Sequence, residues 1–448
     1  MTLHAAHHTR SAAAHPGLRL GERLRQLRVA AALTQSELAG DRFSKEYVSQ
    51  IERGKTRPTR ETIEWLAARL GVDAGFLANG VATDERGRLE GALARAEALY
   101  EGVRLEEADV EFETLVPAAR AMGVPELAVR ALTGAGKTRM RLGAPREALE
   151  LLNEARALVE AGSFSDLERA EVFYALGVCR YQLNSVQTSL GLLNEALALA
   201  ERSGMPSDSL RSNILSWRSR CWRRMRDYEA AREDIERALQ LAESAADPRT
   251  IGSAFFQASL VADREGHWVL ARTYAEKARA AFEELSDRVH VGRLTNNLGG
   301  LNFLLGKTDE AVSLLKEAFA IALDNGLEQD AAQAVSSLAQ INLRTGDAEK
   351  AAEQAEHALK LLEGHEDYLD EIGNAQLVLG RALLEQDKLD EAETAFAAAE
   401  SSFDQLGSAS HRAAAWVARG DLAARRGDDR LAAHLYRTAA EALQDVRF

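Results

Sequence analysis

Between Leu20 and Gly80 the apolar residues come three and four apart in short runs, the spacing of helices that bury one face, and they predict five short helices. Leu24, Leu27 and Ala31 mark the first, with Leu33 following. Thr34-Gln35-Ser36-Glu37 is a capping box, in which the threonine hydroxyl and the glutamate carboxylate each satisfy an amide left over at a helix start. A second helix therefore begins there and buries Leu38 and Ala39. Gly40 to Phe43 makes a turn, Ser44 caps a third helix with Val48 and Ile51 inward, and Gly54 ends it. Pro58-Thr59 opens a fourth with Ile63, Leu66, Ala67 and Leu70 inward, and Val72 to Leu77 supplies a short fifth.

Beyond a linker at residues 81–87 the pattern becomes a repeat that fills residues 88–448. A small residue recurs at Ala148, Ser189, Ala231, Ala271, Ala311, Ala351, Ala392 and Ala432, and seven residues after each comes an alanine, from Ala155 to Ala439. Twelve residues before each stands another small residue: Gly136, Gly177, Ser219, Ser259, Gly299, Ala339, Gly380 and Gly420. Small side chains at these offsets let the two helices of a hairpin, and successive hairpins, approach closely. Turns show at Leu142-Gly143, Glu265-Gly266, Leu305-Gly306, Thr345-Gly346 and Arg426-Gly427. An irregular earlier unit with Ala96, Ala108 and Phe112 caps the array, giving eight or nine repeats of about 40 residues. The fold class is all-α.

The third helix has a second face. Lys45, Glu46, Ser49 and Gln50 fall at i, i+1, i+4 and i+5, opposite Val48 and Ile51. Lysine can donate to guanine O6/N7, glutamate can accept from cytosine N4, and glutamine can pair with adenine, so this face suits the edges of DNA bases. Arg42, Arg53, Lys55 and Arg57 lie around it and would supply sequence-independent attraction to phosphate.

Residues 20–80 resemble the lambda-repressor-like, or Xre-type, helix-turn-helix family. The matching pieces are Leu33-Thr34-Gln35-Ser36-Glu37-Leu38-Ala39, Tyr47-Val48-Ser49-Gln50-Ile51-Glu52-Arg53-Gly54 and Arg57-Pro58-Thr59, in the family's order. The turn between Ala39 and Ser44 is a residue shorter than the common pattern. The resemblance implies base reading by Lys45, Glu46, Ser49 and Gln50, phosphate contacts from Gln35, Ser44, Lys55 and Arg57, and a structural ion pair between Arg28 and Glu52. Residues 88–448 resemble tetratricopeptide repeats stacked as a right-handed α-solenoid, with Phe396 and Tyr436 as bulky fillers. Head plus array resembles the peptide-responsive quorum-sensing regulators of the RRNPP type.

Composition narrows the function further. The 448 residues carry a net charge of −14, but residues 1–80 hold 12 Lys+Arg against 8 Asp+Glu, and the remainder holds 43 against 61. A basic head precedes an acidic body, and DNA meets the local field of the surface presented to it, not the total. Residues 1–17, with His4, His7, His8 and His15, lack an apolar stretch and read as a disordered tail instead of a secretory signal. The two cysteines, Cys179 and Cys221, have no ligand spacing, and no apolar run reaches the ~18 residues of a membrane span. A cytoplasmic protein with no metal, no cofactor, no catalytic residues and no membrane partner is expected. Residues 131–138 match a relaxed phosphate-binding loop, yet Gly136 occupies the repeat's small slot, so a helix is expected there.

In tetratricopeptide folds the first helix of each pair lines the concave side. Positions flanking the small slot then form an amide- and arginine-rich stripe that includes Asn213, Arg220, Arg223, Asn296, Gln333, Asn374 and Arg381, groups able to hold a peptide backbone and a carboxylate. The expectation is a sequence-specific regulator that binds double-stranded DNA, forms a homodimer through its repeats and senses a short peptide or small-molecule effector. The alternative is a scaffold that recruits a partner protein, with DNA binding secondary.

Overall fold

A computed structural model describes residues 20–80, 83–365 and 368–444, and these form 23 helices with no strand among the described residues. The N-terminal segment 1–17, with its four histidines, lies outside the described residues. The chain divides into two compact units, Met1–Leu183 and Asn184–Phe448.

The first unit begins with α1 (Leu20–Ala30), α2 (Gln35–Ala39), α3 (Lys45–Glu52), α4 (Arg60–Leu70) and α5 (Ala74–Asn79). Local chemistry sets nearly every start. Thr34 and Glu37 make the reciprocal capping box, and Ser44, Thr59 and Asp73 each accept a backbone N–H in the first turn of α3, α4 and α5. Leu24, Leu38, Val48, Ile51, Leu66 and Leu77 close into one core. Gly21 has no side chain because a Cβ there would lie 2.3 Å from the Ile51 carbonyl oxygen, so α1 rests directly on the end of α3. Buried Arg23 donates from Nε to the Leu77 carbonyl (3.0 Å) and from Nη2 to that of Ala78 (2.7 Å), satisfying acceptors that the end of α5 leaves without helical partners.

The rest of this unit is α6 (Thr83–Glu101), α7 (Leu105–Met122), α8 (Pro125–Arg141), α9 (Pro145–Ala161) and α10 (Asp166–Gln182). Helix α6 takes in residues 83–87 of the segment expected to join head and array: the Arg86–Glu90 pair (Nε–Oε1 2.7 Å), one turn apart, supports helix across Gly87. Helix α8 contains residues 131–138. Buried Thr138 donates its hydroxyl to the Gly134 carbonyl (2.9 Å), and the segment is a continuous helix with none of the open loop that a phosphate cradle needs.

The second unit opens with α11 (Val186–Arg202) and continues with pairs: α12 (Asp208–Arg224) and α13 (Tyr228–Ala245), α14 (Pro248–Arg264) and α15 (Trp268–Glu284), α16 (Arg288–Leu304) and α17 (Thr308–Asp324). Then follow α18 (Glu328–Arg344) and α19 (Ala348–Leu361), α20 (Leu369–Glu385) and α21 (Leu389–Gln405), α22 (Ala409–Arg425) and α23 (Asp429–Gln444). Each pair turns through one residue in the left-handed region. Glycine serves at Gly266, Gly306, Gly346 and Gly427, but Arg226 and Asp387 adopt the same conformation without it.

Small and large residues complement each other inside the pairs. A Cβ on Gly299 would meet Leu315 at 2.7 Å, one on Gly380 would meet Phe396 at 2.5 Å, and one on Gly420 would meet Tyr436 at 2.5 Å. Where the slot is Ala339, the facing residue is Ala355, and the two share a core cluster. Each crossing is thus filled locally, by a large side chain where the facing slot has no Cβ and by two methyls where both residues are alanine. Replacing Gly380 with Ala should destabilise α20–α21 by about 1–3 kcal/mol, and adding Phe396→Leu should recover part of the loss. Hydrogen exchange of the α20 and α21 amides measures both, and equal protection in parent and Gly380→Ala would refute the fit.

Candidate nucleic-acid interface and repeat groove

Helix α3 is held from behind. Val48 and Ile51 are fully buried, whereas Lys45, Glu46 and Gln50 are exposed and Ser49 is half-buried. The turn before it is pinned by aromatic contacts: Phe43 lies 5.4 Å from Tyr47 and meets the Trp65 ring edge-on at 5.1 Å. Arg69 stacks on Trp65 and donates to the Glu37 carbonyl (2.7 Å), which ties α4 to the end of α2. The polar face of α3 is consequently carried on a rigid base.

Arg28 Nε lies 2.6 Å from Glu52 Oε1, and its Nη2 reaches Oε2 at 3.2 Å. Gln35 Nε2 also donates to Glu52 Oε2 (2.7 Å). One of its two amide hydrogens is thereby used to orient the group at the start of α2, and the other remains to be matched. Ser44 Oγ accepts from the Tyr47 amide (3.1 Å), so its hydroxyl hydrogen is still available to a second acceptor. Lys55 and Arg57 are exposed in the loop after α3.

In the second unit, successive first helices touch one another (α12 with α14, α16 with α18, α18 with α20), so this series packs along the inner side. Asn213, Arg220 and Arg223 are half-buried on α12, with the Arg220 guanidinium 4.1 Å over the Trp217 ring. Asn296 on α16 and Gln333 on α18 share a narrow recess, and Asn296 also borders a cavity of about 230 Å³. Asn374 donates to Asp370 (2.9 Å) on its own helix, and Arg381 is exposed; neither lines these cavities.

Asp263, Gly300, Phe303, Ser337 and Arg344 line the larger cavity and were not singled out by sequence pattern. The one visible signal was the Gly299-Gly300 doublet inside a helix. Burial pushes the Asp263 carboxyl above its ordinary range, offset in part by the charges of Arg264 and Arg223. Among the described residues no group of three or more His, Cys, Asp or Glu could hold a metal ion, and no helix is long and apolar enough to cross a membrane.

Comparison with known proteins follows this division of the chain. Residues 19–79 match the helix-turn-helix domain family, and residues 133–206, 290–364 and 377–446 match tetratricopeptide repeats. The protein is therefore an all-α protein with an N-terminal helix-turn-helix domain and C-terminal tetratricopeptide repeats. Over 65 residues, 14% of the chain, it is 40% identical to the HTH-type transcriptional regulator DdrOP3 of Deinococcus deserti, and the match spans half of that relative's length. Among solved structures it is similar to a Rap protein complexed with competence and sporulation factor, with a TM-score of 0.63, 17% identity, and coverage of 81% of this chain and 99% of that one. It is also similar to the apo form of the quorum sensor NprR from B. thuringiensis, with a TM-score of 0.56, 14% identity, and coverage of 80% and 99%. At these identities the two structures establish the fold.

The side chain of Glu52 is only 4% exposed, and Arg28 is the cation paired with it. Arg28→Met should strip that compensation and destabilise the head by about 3 kcal/mol or more, seen as faster hydrogen exchange in α1–α5 with α12–α23 unchanged. Parent-like exchange in the variant would show that the pair does not hold α3.

Proposed function

We propose that the protein is a sequence-specific, DNA-binding transcriptional regulator whose repeat array dimerises and senses a peptide or small-molecule effector. The observation that carries the reading is α3 itself: an eight-residue helix anchored by Val48 and Ile51, with Lys45, Glu46 and Gln50 exposed on the opposite face and Lys55 and Arg57 exposed beside it. A helix of this size fits the major groove, where those side chains have donors and acceptors matched to base edges. Gln35 and Ser44, each with a hydrogen left to donate, stand at the starts of α2 and α3 and serve phosphate. The resemblance to a transcriptional regulator over the head supports this assignment. The array supplies the sensing half of the reading, with Asn213, Arg220, Arg223, Asn296, Gln333, Asn374 and Arg381 on its first helices.

Lys45→Ala, Glu46→Ala and Gln50→Ala should each cost roughly 1–3 kcal/mol and relax preference at particular base pairs, whereas Arg57→Ala should weaken every sequence alike and lower the salt slope by about one. Selection from random DNA followed by salt titration reads both effects. Equal losses on all sequences for all four variants would sink the base-reading assignment.

A single reading helix covers few base pairs, so two heads on a two-fold site are expected, with half-sites one helical turn or a multiple apart. The full chain should run as a dimer in light scattering at micromolar concentration. A monomer that still selects one DNA sequence would remove dimerisation from the proposal.

A further inference from the structure

Three first helices of the second unit, α14, α16 and α18, contribute Asp263, Asn296 and Arg344 to the 230 Å³ cavity. Its two ends differ in charge. The Asp263 carboxylate is half-buried and makes no hydrogen bond or ion pair with any described residue. Asn296, between this cavity and the neighbouring recess, has a buried Oδ1 with no hydrogen-bond partner. A buried acceptor without a donor is costly, and Asp263 adds a negative charge beside it that the charges of Arg264 and Arg223 offset only in part. At the other end the Arg344 guanidinium lies 5.0 Å over the Phe303 ring, so that end already holds a cation stacked on an aromatic face.

Gly300 gives the cavity its room. It sits well inside α16, where glycine is unfavourable relative to alanine. A Cβ built on it meets nothing within 4 Å, in contrast to adjacent Gly299, whose Cβ would strike Leu315. Packing therefore explains Gly299 and does not explain Gly300; the space beside Gly300 is cavity. Leu304 and Ile341 add apolar wall.

We propose that this cavity binds a compact organic cation, an ammonium or guanidinium on a short apolar stem, with its charge against Asp263 and its stem over Gly300. The polarity is fixed by the walls: Arg344 repels a cation at its end, whereas at the other Asp263 carries negative charge and Asn296 Oδ1 lacks a donor. This deepens the effector-sensing reading of the array by naming the ligand's chemistry, and its test does not depend on DNA. The same group could be a free amine or a side chain of a peptide.

The experiment is calorimetric titration of the full chain with butylguanidinium and, separately, with an N-acetylated, C-amidated pentapeptide whose one charged residue is arginine, each against an uncharged counterpart in which urea replaces guanidinium (butylurea, and the same capped peptide with citrulline). Binding is expected from at least one cationic probe and from neither uncharged one, and which cationic probe binds identifies the source. Asp263→Asn should weaken that binding about tenfold or more. Gly300→Leu should abolish it while leaving the melting temperature of the unliganded chain no lower than the parent's. Failure of both cationic probes at millimolar concentration, equal binding of the uncharged analogues, or parent-like binding by folded Gly300→Leu would overturn the proposal. Sequence-selective DNA binding, scored on the same preparation, stands or falls separately: its absence would remove the regulator reading and leave the cavity's ligand in place.

Discussion

The close approach of two helices within each hairpin is the constraint on which the array depends. An interior packed at crystal-like density leaves no slack for an extra methyl, so the bulk at the crossing point must be shared between the helices. Gly380 facing Phe396 and Gly420 facing Tyr436 put all the bulk on the second helix, and Ala339 facing Ala355 keeps both sides small. Because that fit is local, every hairpin can evolve its own surface while keeping the spacing its neighbours require. Stability in such an array is a series of nearest-neighbour terms, and what varies from repeat to repeat is what each first helix shows on the inner side.

How much of this was legible in the sequence follows from how local each determinant is. The head's helix starts could be read because Thr34, Ser44, Thr59 and Asp73 act within three residues of themselves. The repeats could be read because their small slots recur at a constant offset. The helical state of residues 83–87 could not be read because a shift in composition says nothing about helix continuity, which here rests on an Arg86–Glu90 contact one turn apart. Some intra-pair turns escaped notice because Val103, Asn184, Arg226 and Asp387 take up a left-handed conformation that sequence pattern assigns to glycine. The cavity was out of reach: Asp263, Gly300 and Arg344 are about 40 residues apart in turn, and only the stacking of three helices brings them to one space.

Polar satisfaction separates the two helix series. Ser216, Gln257, Asn296 and Asn302 each keep a buried oxygen without a hydrogen-bond partner, and all four lie on first helices of their pairs, α12, α14 and α16. Second helices from α13 to α23 supply no such atom among the described residues. Native structures leave few buried polar groups unmatched, and those that remain concentrate where a sequence serves something other than its own stability. The second helices are built for packing; the first helices carry the unresolved chemistry.

That asymmetry bears on how an array of this kind can respond to a ligand at all. A molecule shifts a conformational equilibrium only by the difference in its affinity for the two states. Contacts confined to one helix move with that helix and contribute nothing to such a difference. The cavity bounded by Asp263, Asn296 and Arg344 draws on three consecutive pairs, so any change in the rotation between pairs alters the distances among its walls. An occupant that satisfies Asp263 at one wall while resting on Gly300 at another therefore favours one inter-repeat rotation over others. The unmatched Asn296 Oδ1 makes that preference stronger, because a state in which it gains a donor recovers a desolvation cost. Placing unsatisfied groups across several repeats, instead of within one, is what turns a binding cavity into a sensor of curvature.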